Sequence, residues 1–307
     1  MFKNLLIPYD FSESSHQALK YGLKLVQKFS SKLHIIHAVG VDMRHFPAGI
    51  IEWTKDMDSI FHQEIRKDVL KSVDEEVLNN QIEIEIVQDQ PDKVILNFIH
   101  EHHPDLVLMG THGRGGFKHA ILGSVAEKVI RHSQSPVWVV RNQDDIKKVL
   151  LPVDFSEHTE EAVLTAMQFC DAFEAELHLA HVVSFGDMYQ FFPNAAPYPF
   201  EINEKKLKQQ ALADLTKLSQ KHKSHQLHLH VVMGVVHQEI IALAQRSQCD
   251  IVLMPTHGRS GLGHLVLGSS AEMVIRYADR SVLTFLAKDH VPYKKTALGH
   301  LLNGKLI

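Results

Sequence analysis

The chain contains an internal duplication, and this feature constrains its fold more than any other. The segment "LLIPYDFSE" near the start matches "LLPVDFSEH" in the second half, which aligns Asp10 with Asp154 at an offset of 144 residues. "PDLVLMGTHGRGG" matches "CDIVLMPTHGRSG" and aligns Gly110 with Pro255 at an offset of 145. Because the matching segments keep their order, we interpret the chain as two copies of one domain.

The two copies meet in a polar and charged segment, "NQDDIKK", which is typical of a linker. We therefore place the first domain at residues 1–143 and the second at residues 144–290. Residues 291–307 form a tail with no counterpart in the first copy. A chain of 307 residues is long enough for each domain to bury its own core.

Short apolar runs alternate with segments of helical period in each copy, in the order βαβαβαβαβ. This order predicts an α/β fold of two tandem doubly wound parallel five-stranded sheets, each with strand order 3-2-1-4-5. In the first copy we expect Ser14 or Ser15 to cap the first helix. We also expect one long helix across residues 56–78.

The composition limits the class of protein. Apolar residues make up 45% of the chain and charged residues 22%, with a net charge of -4, which argues against nucleic acid as the primary ligand. No apolar run is long enough to span a membrane, and the N-terminus lacks a signal-peptide pattern. Cys170 and Cys249 are far apart and have no CxxC spacing. We therefore expect a cytoplasmic protein without disulfides.

Polar and glycine-rich residues follow strands 1 and 4, where a sheet of this order changes direction. Asp10 follows strand 1, and Gly110 and Gly113 follow strand 4. We interpret these glycines as positions of positive φ or of close approach by a ligand. Gly123 and Ser124 precede a helix, so we expect Ser124 to be its N-cap and the next amides to attract an anion such as phosphate. A carboxylate that can accept from a sugar or a base, together with an anion site for phosphate, predicts a nucleotide as the ligand.

Two common phosphate loops are excluded. Walker A needs a lysine where Gly116 stands, and the dinucleotide fingerprint needs a glycine where Lys118 stands. The remaining pattern, G-x2-G-x9-G-S, resembles that of the universal stress protein family in its tandem form. The resemblance covers nearly the whole chain.

This resemblance implies an adenine nucleotide alpha-hydrolase-like fold and ATP as a ligand that is not turned over, with Mg²⁺ accompanying it. It places Asp10 and Val39 on the adenine side of the site in the first copy. Pro8 and Met109, which lie near the ends of strands 1 and 4, are also predicted to contact the nucleotide. The other implied contacts, to ribose and phosphates, are Gly110, Gly113, Gly123, Ser124 and Val125. The matching residues of the second copy are Asp154, Val183, Gly258, Gly268 and Ser269.

The two copies differ at positions that bear on binding. Pro255 has no N–H and a fixed φ, so it cannot replace the amide or the conformation of Gly110. We expect the two sites to differ in affinity for this reason. Asp89 stands where the second copy has Gly234, and its carboxylate would repel phosphate if it faced the crevice.

The 23 histidines suggest a metal, but the sequence does not establish converging ligands, so we expect none. His34 and His37 are predicted to lie on opposite strand faces, whereas His228 and His230 would share one. We expect His112 and His257 to line the nucleotide crevices. The chain carries no GxSxG, HExxH or Cys-His signature, so we do not expect an enzyme; Arg114 and Lys118 are interpreted as loop cations.

The leading hypothesis is therefore an ATP-binding stress-response or regulatory protein that acts through ligand-dependent partner interaction. Its domains would form an intramolecular pseudo-dimer, and pairing of whole chains into a homodimer stays open. Each copy also has an aromatic loop, around Phe46-Pro47 and around Phe192-Pro193. The sequence leaves three roles open for these loops: covering a crevice, contacting a partner, or forming ordinary surface. One alternative is an interaction protein with degenerate sites that bind no nucleotide, and a weaker one is a slow ATPase.

Overall fold

The structure is a computed structural model, and it describes residues 1–40, 55–113, 122–141, 145–184, 204–220, 227–256 and 267–285. Both Phe-Pro loops and the tail at residues 291–307 lie outside the described residues. The interior of the proposed linker, at residues 142–144, lies outside them as well.

The first half alternates strands and helices as the sequence predicts. Its elements are β1 (Asn4–Pro8), α1 (Glu13–Phe29), β2 (Lys32–Ala38), α2 (Lys55–Leu70), α3 (Glu75–Gln81), β3 (Ile82–Val87), α4 (Pro91–His102), β4 (Leu106–Met109), α5 (Ser124–His132) and β5 (Val137–Val139). The second half repeats this order. Its elements are β6 (Lys148–Pro152), α6 (Thr159–Phe173), β7 (Glu176–Val183), α7 (Glu204–Gln220), β8 (Leu227–Met233), α8 (Val236–Arg246), β9 (Ile251–Pro255), α9 (Ser269–Tyr277) and β10 (Ser281–Phe285).

Two helix predictions for the first half are wrong in detail. The long helix expected at residues 56–78 is interrupted after Leu70, because Asp74 takes an extended conformation and its carboxylate caps α3 by accepting from Val77 N. The N-cap of α1 is Ser12 rather than Ser14 or Ser15, and its side chain accepts from Ser15 N. In both places a polar side chain near the predicted position satisfies the amides that a helix start leaves unpaired.

The strand order within each half is the predicted one, and the two five-stranded sheets join edge to edge. The strands form one ten-stranded sheet in the order β3-β2-β1-β4-β5-β10-β9-β6-β7-β8. Pairing is parallel within each half and antiparallel between β5 and β10, where Val139 lies opposite Val282. The two apolar edge strands satisfy each other's backbone groups, which removes the exposed edge that each half would otherwise present.

Buried apolar side chains cover both faces of this continuous sheet. One core cluster includes Leu5, Trp138 and Phe169 and therefore joins residues of both halves. Trp138 is 1% exposed, and its ring lies 4.9 Å from Tyr21 and 5.6 Å from Phe169. The second cluster, on the other face, likewise includes residues of both halves. The two halves thus share their cores, as in the predicted intramolecular pseudo-dimer.

Four charged side chains, from α5 and α9, form a closed ring across the junction of the halves. Arg276 lies 3.2 Å from Glu127 and 3.4 Å from Glu272. Arg131 completes the ring at 3.1 Å from Glu272 and 3.5 Å from Glu127. Nearby, the Arg141 guanidinium donates to the Ile275 carbonyl, and burial lowers its pKa to about 10.

Within the described part of the chain, no helix is both long and apolar enough to cross a membrane. Cys170 and Cys249 are both buried and are free thiols, as the sequence predicts.

Candidate functional site

A crevice of about 390 Å³ opens at the carboxyl ends of β1 and β4, where the strand order of the first half changes direction. Its lining residues come from strand ends and the starts of α1, α4 and α5. They are Pro8, Tyr9, Asp10, Ser15, Ile36, Ala38, Pro91, Ile95, Met109, Gly110, Thr111, His112, Gly113, Gly123, Ser124, Val125 and Ala126. This is the position at which open α/β sheets bind ligands.

Most residues predicted for the first site meet in this crevice. Those that line it are Pro8, Asp10, Met109, Gly110, Gly113, Gly123, Ser124 and Val125. Val39 is not among the lining residues, since its N–H donates to the Val87 carbonyl at 2.8 Å and continues the backbone pairing of β2 with β3. Ala38, its neighbour, lines the crevice instead.

The backbone after β1 turns sharply and directs Asp10 to the crevice. Phe11 adopts a left-handed conformation with φ 63°, which is uncommon for a residue with a Cβ, and Phe155 repeats it in the second half with φ 57°. Asp10 Oδ1 accepts from Ser12 N at 3.0 Å and from Ser12 Oγ at 2.6 Å. A Cβ added at Gly113 would lie 2.7 Å from Asp10 Oδ2, so the two loops meet here.

The loop after β4 is tied to the start of α1 by serines. Ser14 Oγ donates to the His112 carbonyl and accepts from His112 N at 3.2 Å, and Ser12 Oγ lies 3.1 Å from the same carbonyl oxygen. A Cβ at Gly110 would lie 2.6 Å from the carbonyl carbon of Ser14. Gly110 is therefore required by a contact within the protein, and neither Gly110 nor Gly113 has the positive φ that we considered.

The helix that begins at Ser124 presents to the crevice amides that have no hydrogen-bond partner among the described residues. Its N-cap is Gly123, not Ser124 as predicted, and no side chain of the described residues caps it. The first helical hydrogen bond runs from Glu127 N to the Gly123 carbonyl at 2.9 Å, which leaves the amides of Ser124, Val125 and Ala126 ahead of it. Amides in this position, with the helix dipole behind them, favour an anion.

Asp89 does not belong to the described lining of this crevice. Its side chain is exposed and accepts from Gln90 N at 2.6 Å. The repulsion of phosphate that we considered for this carboxylate therefore has no geometric basis here. In the second half, Gly234 has φ 153° and a Cβ there would lie 2.9 Å from Glu239 Cγ, which explains glycine at that position.

A smaller crevice of about 290 Å³ occupies the equivalent position in the second half. Asp154, Gly268 and Ser269 line it as predicted, together with Pro255. Its other lining residues are Pro152, Val153, Ser156, His158, Thr159, Ala162, His181, Val182, Ser184, Val236, Ile240, Met254, Thr256, Ser270 and Ala271. Val183 is not among them, and Gly258 lies outside the described residues.

The second crevice differs at the contact that Gly110 makes in the first. Pro255 stands in place of Gly110, and α6 begins at Thr159, two residues later than the counterpart of Glu13 would place it. His158 takes the position of Ser14 and makes no side-chain cap hydrogen bond. Pro255 and the later start of α6 thus occur together in the second half.

Several histidines of both copies lie at or near the crevices. His112 lines the first crevice as expected, whereas His257, Arg114 and Lys118 lie outside the described residues. His37 is buried, and its Nδ1 lies 2.6 Å from the Tyr9 carbonyl. His181 repeats this contact at 2.8 Å from the Val153 carbonyl. These two rings support the strands next to the crevices.

Sequence reasoning missed a partly buried polar triad beside the first crevice. Tyr9 Oη donates to Asp68 Oδ2 at 2.5 Å and lies 2.8 Å from His16 Nε2, and His16 Nε2 lies 3.2 Å from Asp68. The second half has Val153 where the first has Tyr9, so the duplication gave no signal for this triad.

The fold defines a tandem α/β protein with a crevice at the switch point of each half. A family model described as the universal stress protein family matches residues 1–141 and 145–285. The chain therefore belongs to the universal stress protein family.

Relatives resemble either the whole chain or one half of it. Universal stress protein E of Salmonella typhi is 25% identical over 294 residues, covering 90% of this chain and 91% of that protein. A universal stress protein of Methanocaldococcus jannaschii is 31% identical over 143 residues, covering 46% of this chain and 83% of its own length. The crystal structure of a universal stress protein from Archaeoglobus fulgidus covers 92% of this chain and 98% of its own, with 22% identity and a TM-score of 0.61. This last likeness supports the fold, which is adenine nucleotide alpha-hydrolase-like.

Proposed function

We propose that the first half binds an adenine nucleotide, ATP with Mg²⁺, as a regulatory ligand that is not turned over. One observation carries the proposal: the uncapped start of α5 opens into the same crevice as Asp10. Bound nucleotide would favour one arrangement of the loops around the crevice and thereby change the affinity for a protein partner, by population shift. The protein would act in the cytoplasm in a stress response.

The two ends of the crevice suit the two ends of a nucleotide. Ile36, Ala38, Ile95 and Met109 supply an apolar wall for a base, and the amides at the start of α5 supply donors for phosphate. The volume of about 390 Å³ lies within the range of about 300–1,000 Å³ that is usual for small-molecule sites. Among the described lining residues, Asp10 is the carboxylate, and it would accept hydrogen bonds from a sugar hydroxyl or from the base amine, across the crevice from the phosphates.

The test is a calorimetric titration of nucleotide-free protein with ATP and Mg²⁺, with matched variants in the two halves. Gly123→Val adds bulk at the N-cap of α5, and Gly268→Val does the same at α9. We expect Gly123→Val to raise the dissociation constant of the tighter site at least tenfold, and Gly268→Val to leave that site unchanged. Equal affinity of wild type and Gly123→Val would overturn the site assignment, provided that circular dichroism shows both folded.

The absence of turnover is tested separately by phosphate release. We expect wild type to release no more phosphate than Asp10→Asn, which keeps an acceptor for Ser12 but removes the charge. Release that is present in wild type and lost in Asp10→Asn would instead identify a slow ATPase.

For the second half we propose a weaker nucleotide site or a surface for interaction without nucleotide. The specific observation is Pro255 in the lining of the smaller crevice, where it provides no amide. A single equivalent of ATP per chain is therefore expected. Two equivalents of equal affinity would contradict this difference between the halves.

A further inference from the structure

Four side chains meet at the amino-terminal ends of β7 and β8, at the far end of these strands from the second crevice. Glu176 and His178 lie on one face of β7, and the sheet register places His178 beside His228. His228 Nε2 is 3.4 Å from Glu176 Oε2, and His178 Nε2 is 3.9 Å from the same oxygen. The ligand atoms of these three residues all lie within 4.8 Å of one another.

His178 is contacted by two rings of β8. The His228 ring stacks on it with a centroid distance of 4.6 Å, and the His230 ring is nearly parallel to it with a centroid distance of 5.1 Å. Its Nδ1 is 3.0 Å from His230 Nε2, whereas its Nε2 is buried and has no hydrogen-bond partner among the described residues. A buried nitrogen without a partner is costly, and here it faces a carboxylate oxygen and a second imidazole nitrogen.

The contact between His178 and His230 suits ligation, because it uses one ring nitrogen of His178 and leaves the other facing the cluster. When Nδ1 carries the proton and donates it to His230, the lone pair of Nε2 points to the cluster. Histidines that bind metals commonly donate their other N–H in this way.

We propose that Glu176, His178 and His228 bind a Zn²⁺ ion, with His230 as a positioning residue that holds the His178 ring. Two nitrogens and one carboxylate oxygen form a common set of three zinc ligands, which leaves a fourth position for water. Ligands about 2.0–2.2 Å from a tetrahedral zinc are about 3.4 Å from one another. The distance of 3.4 Å between His228 and Glu176 already meets this value, and the half-exposed Glu176 side chain closes the distance of 3.9 Å by a small rotation.

The first half provides an internal comparison, because its equivalent positions cannot form this set. Lys32 replaces Glu176 and brings a cation to the place of a ligand, while His34 is the counterpart of His178. Glu83, the counterpart of His228, lies 3.2 Å from His34 Nδ1 and forms an ion pair with it when that ring is protonated. The proposed site therefore belongs to the second half alone. In the second half, the positive charge of Lys148 lies near His178 and that of Arg246 lies near His230. The carboxylate of Glu176 partly offsets the charge of Lys148 at His178.

The test uses the full chain after treatment with a chelator and dialysis, titrated calorimetrically with ZnCl₂. Glu176→Gln and His228→Asn alter side chains that are 38% and 47% exposed, so neither change should affect folding. We expect each to raise the dissociation constant for zinc at least tenfold. His34→Asn, which changes the counterpart of His178 in the first half, should leave zinc binding unchanged. Wild-type affinity and stoichiometry in both Glu176→Gln and His228→Asn would overturn the proposal.

Titration with CoCl₂ tests the coordination directly. Wild type should show the intense visible absorption of tetrahedral Co²⁺, and the two ligand variants should lose it. An absorption spectrum that is the same in wild type and in both variants would overturn the assignment. For the positioning role, we expect His230→Phe to weaken zinc binding by about 10–100-fold, and His230→Gln, which keeps an acceptor, to restore part of the affinity.

Discussion

Gly110 and Ser14 approach so closely that a Cβ on residue 110 would lie 2.6 Å from the Ser14 carbonyl carbon and 2.7 Å from its carbonyl oxygen. This contact joins the end of β4 to the first turn of α1 and thereby sets the width of the first crevice. In the second half, Pro255 stands at the same position and α6 begins later. One glycine thus distinguishes the two crevices by a contact inside the protein, before any ligand is considered.

Gly110→Ala should destabilise the first half, since the added methyl group meets backbone atoms that cannot rotate away. Overpacking of this kind costs roughly 1–3 kcal/mol, and we expect a loss of that size in the free energy of unfolding. Urea denaturation followed by circular dichroism measures it. Gly113→Ala is the control, because among the described residues its Cβ would meet the side chain of Asp10, at its flexible carboxylate end. A cost for Gly110→Ala no greater than for this control would contradict the explanation.

Asp68 should make the stability of the first half depend on pH in the acid range. Burial alone would raise the pKa of its carboxyl, but hydrogen bonds from Lys71 and Tyr9 and the charge of His16 outweigh this and lower the pKa. The native carboxyl therefore binds a proton less tightly than the unfolded one, with a pKa of about 3.9. Its stabilisation is complete above that value and is lost as the pH falls through the native pKa.

Replacing Asp68 by asparagine removes this dependence. At pH 7 we expect Asp68→Asn to lower the free energy of unfolding by roughly 1–2 kcal/mol, because hydrogen bonds to a charged acceptor become bonds to a neutral one. The difference from wild type should shrink below about pH 4, as the wild-type carboxyl is protonated. Chemical denaturation at several pH values measures it, and a difference that stays constant down to the acid limit would refute the assignment.

The duplication made the strands and most of the crevice predictable. A residue such as Asp10 or Gly123 keeps its place after a strand or before a helix in both copies, and topology brings those places together. Val39 and Val183 were predicted by resemblance, but neither is among the residues that line its crevice. The Val39 amide is used in pairing with Val87, and the Val183 carbonyl accepts from Gly234 N, contacts that a sequence pattern does not show.

Contacts between the halves were not predictable in the same way. The pairing of β5 with β10 depends on how two domains orient, and the sequence shows only that "PVWVV" is apolar. The reason for Gly110 was also missed, because glycine near a predicted site suggests a ligand, whereas the structure shows contact with Ser14. The cluster around His178 combines two strands about 50 residues apart in sequence, and only the register of β7 and β8 brings its members together.

Both thiols should be inert in the folded protein. Cys170 and Cys249 are buried, and this burial raises the pKa of each to about 12. At pH 8 only about one thiol in 10⁴ would be a thiolate, the reactive form. We expect a disulfide reagent to modify neither cysteine in the native chain within minutes, and to modify both once denaturant unfolds it. Rapid modification of the native protein would show that these side chains are accessible.

The charged ring between α5 and α9 should couple the two halves measurably but weakly. Glu127 and Arg276 are 3.2 Å apart, with side chains 33% and 29% exposed, so water screens their attraction. A double-mutant cycle with Glu127→Gln and Arg276→Gln should give a coupling energy of about 0.5–1 kcal/mol that falls in 1 M salt. The exposed pair Glu64 and Lys67, within one helix, is the control and should give about half as much or less. A coupling energy of zero across the halves would mean that this ion pair does not contribute to joining them.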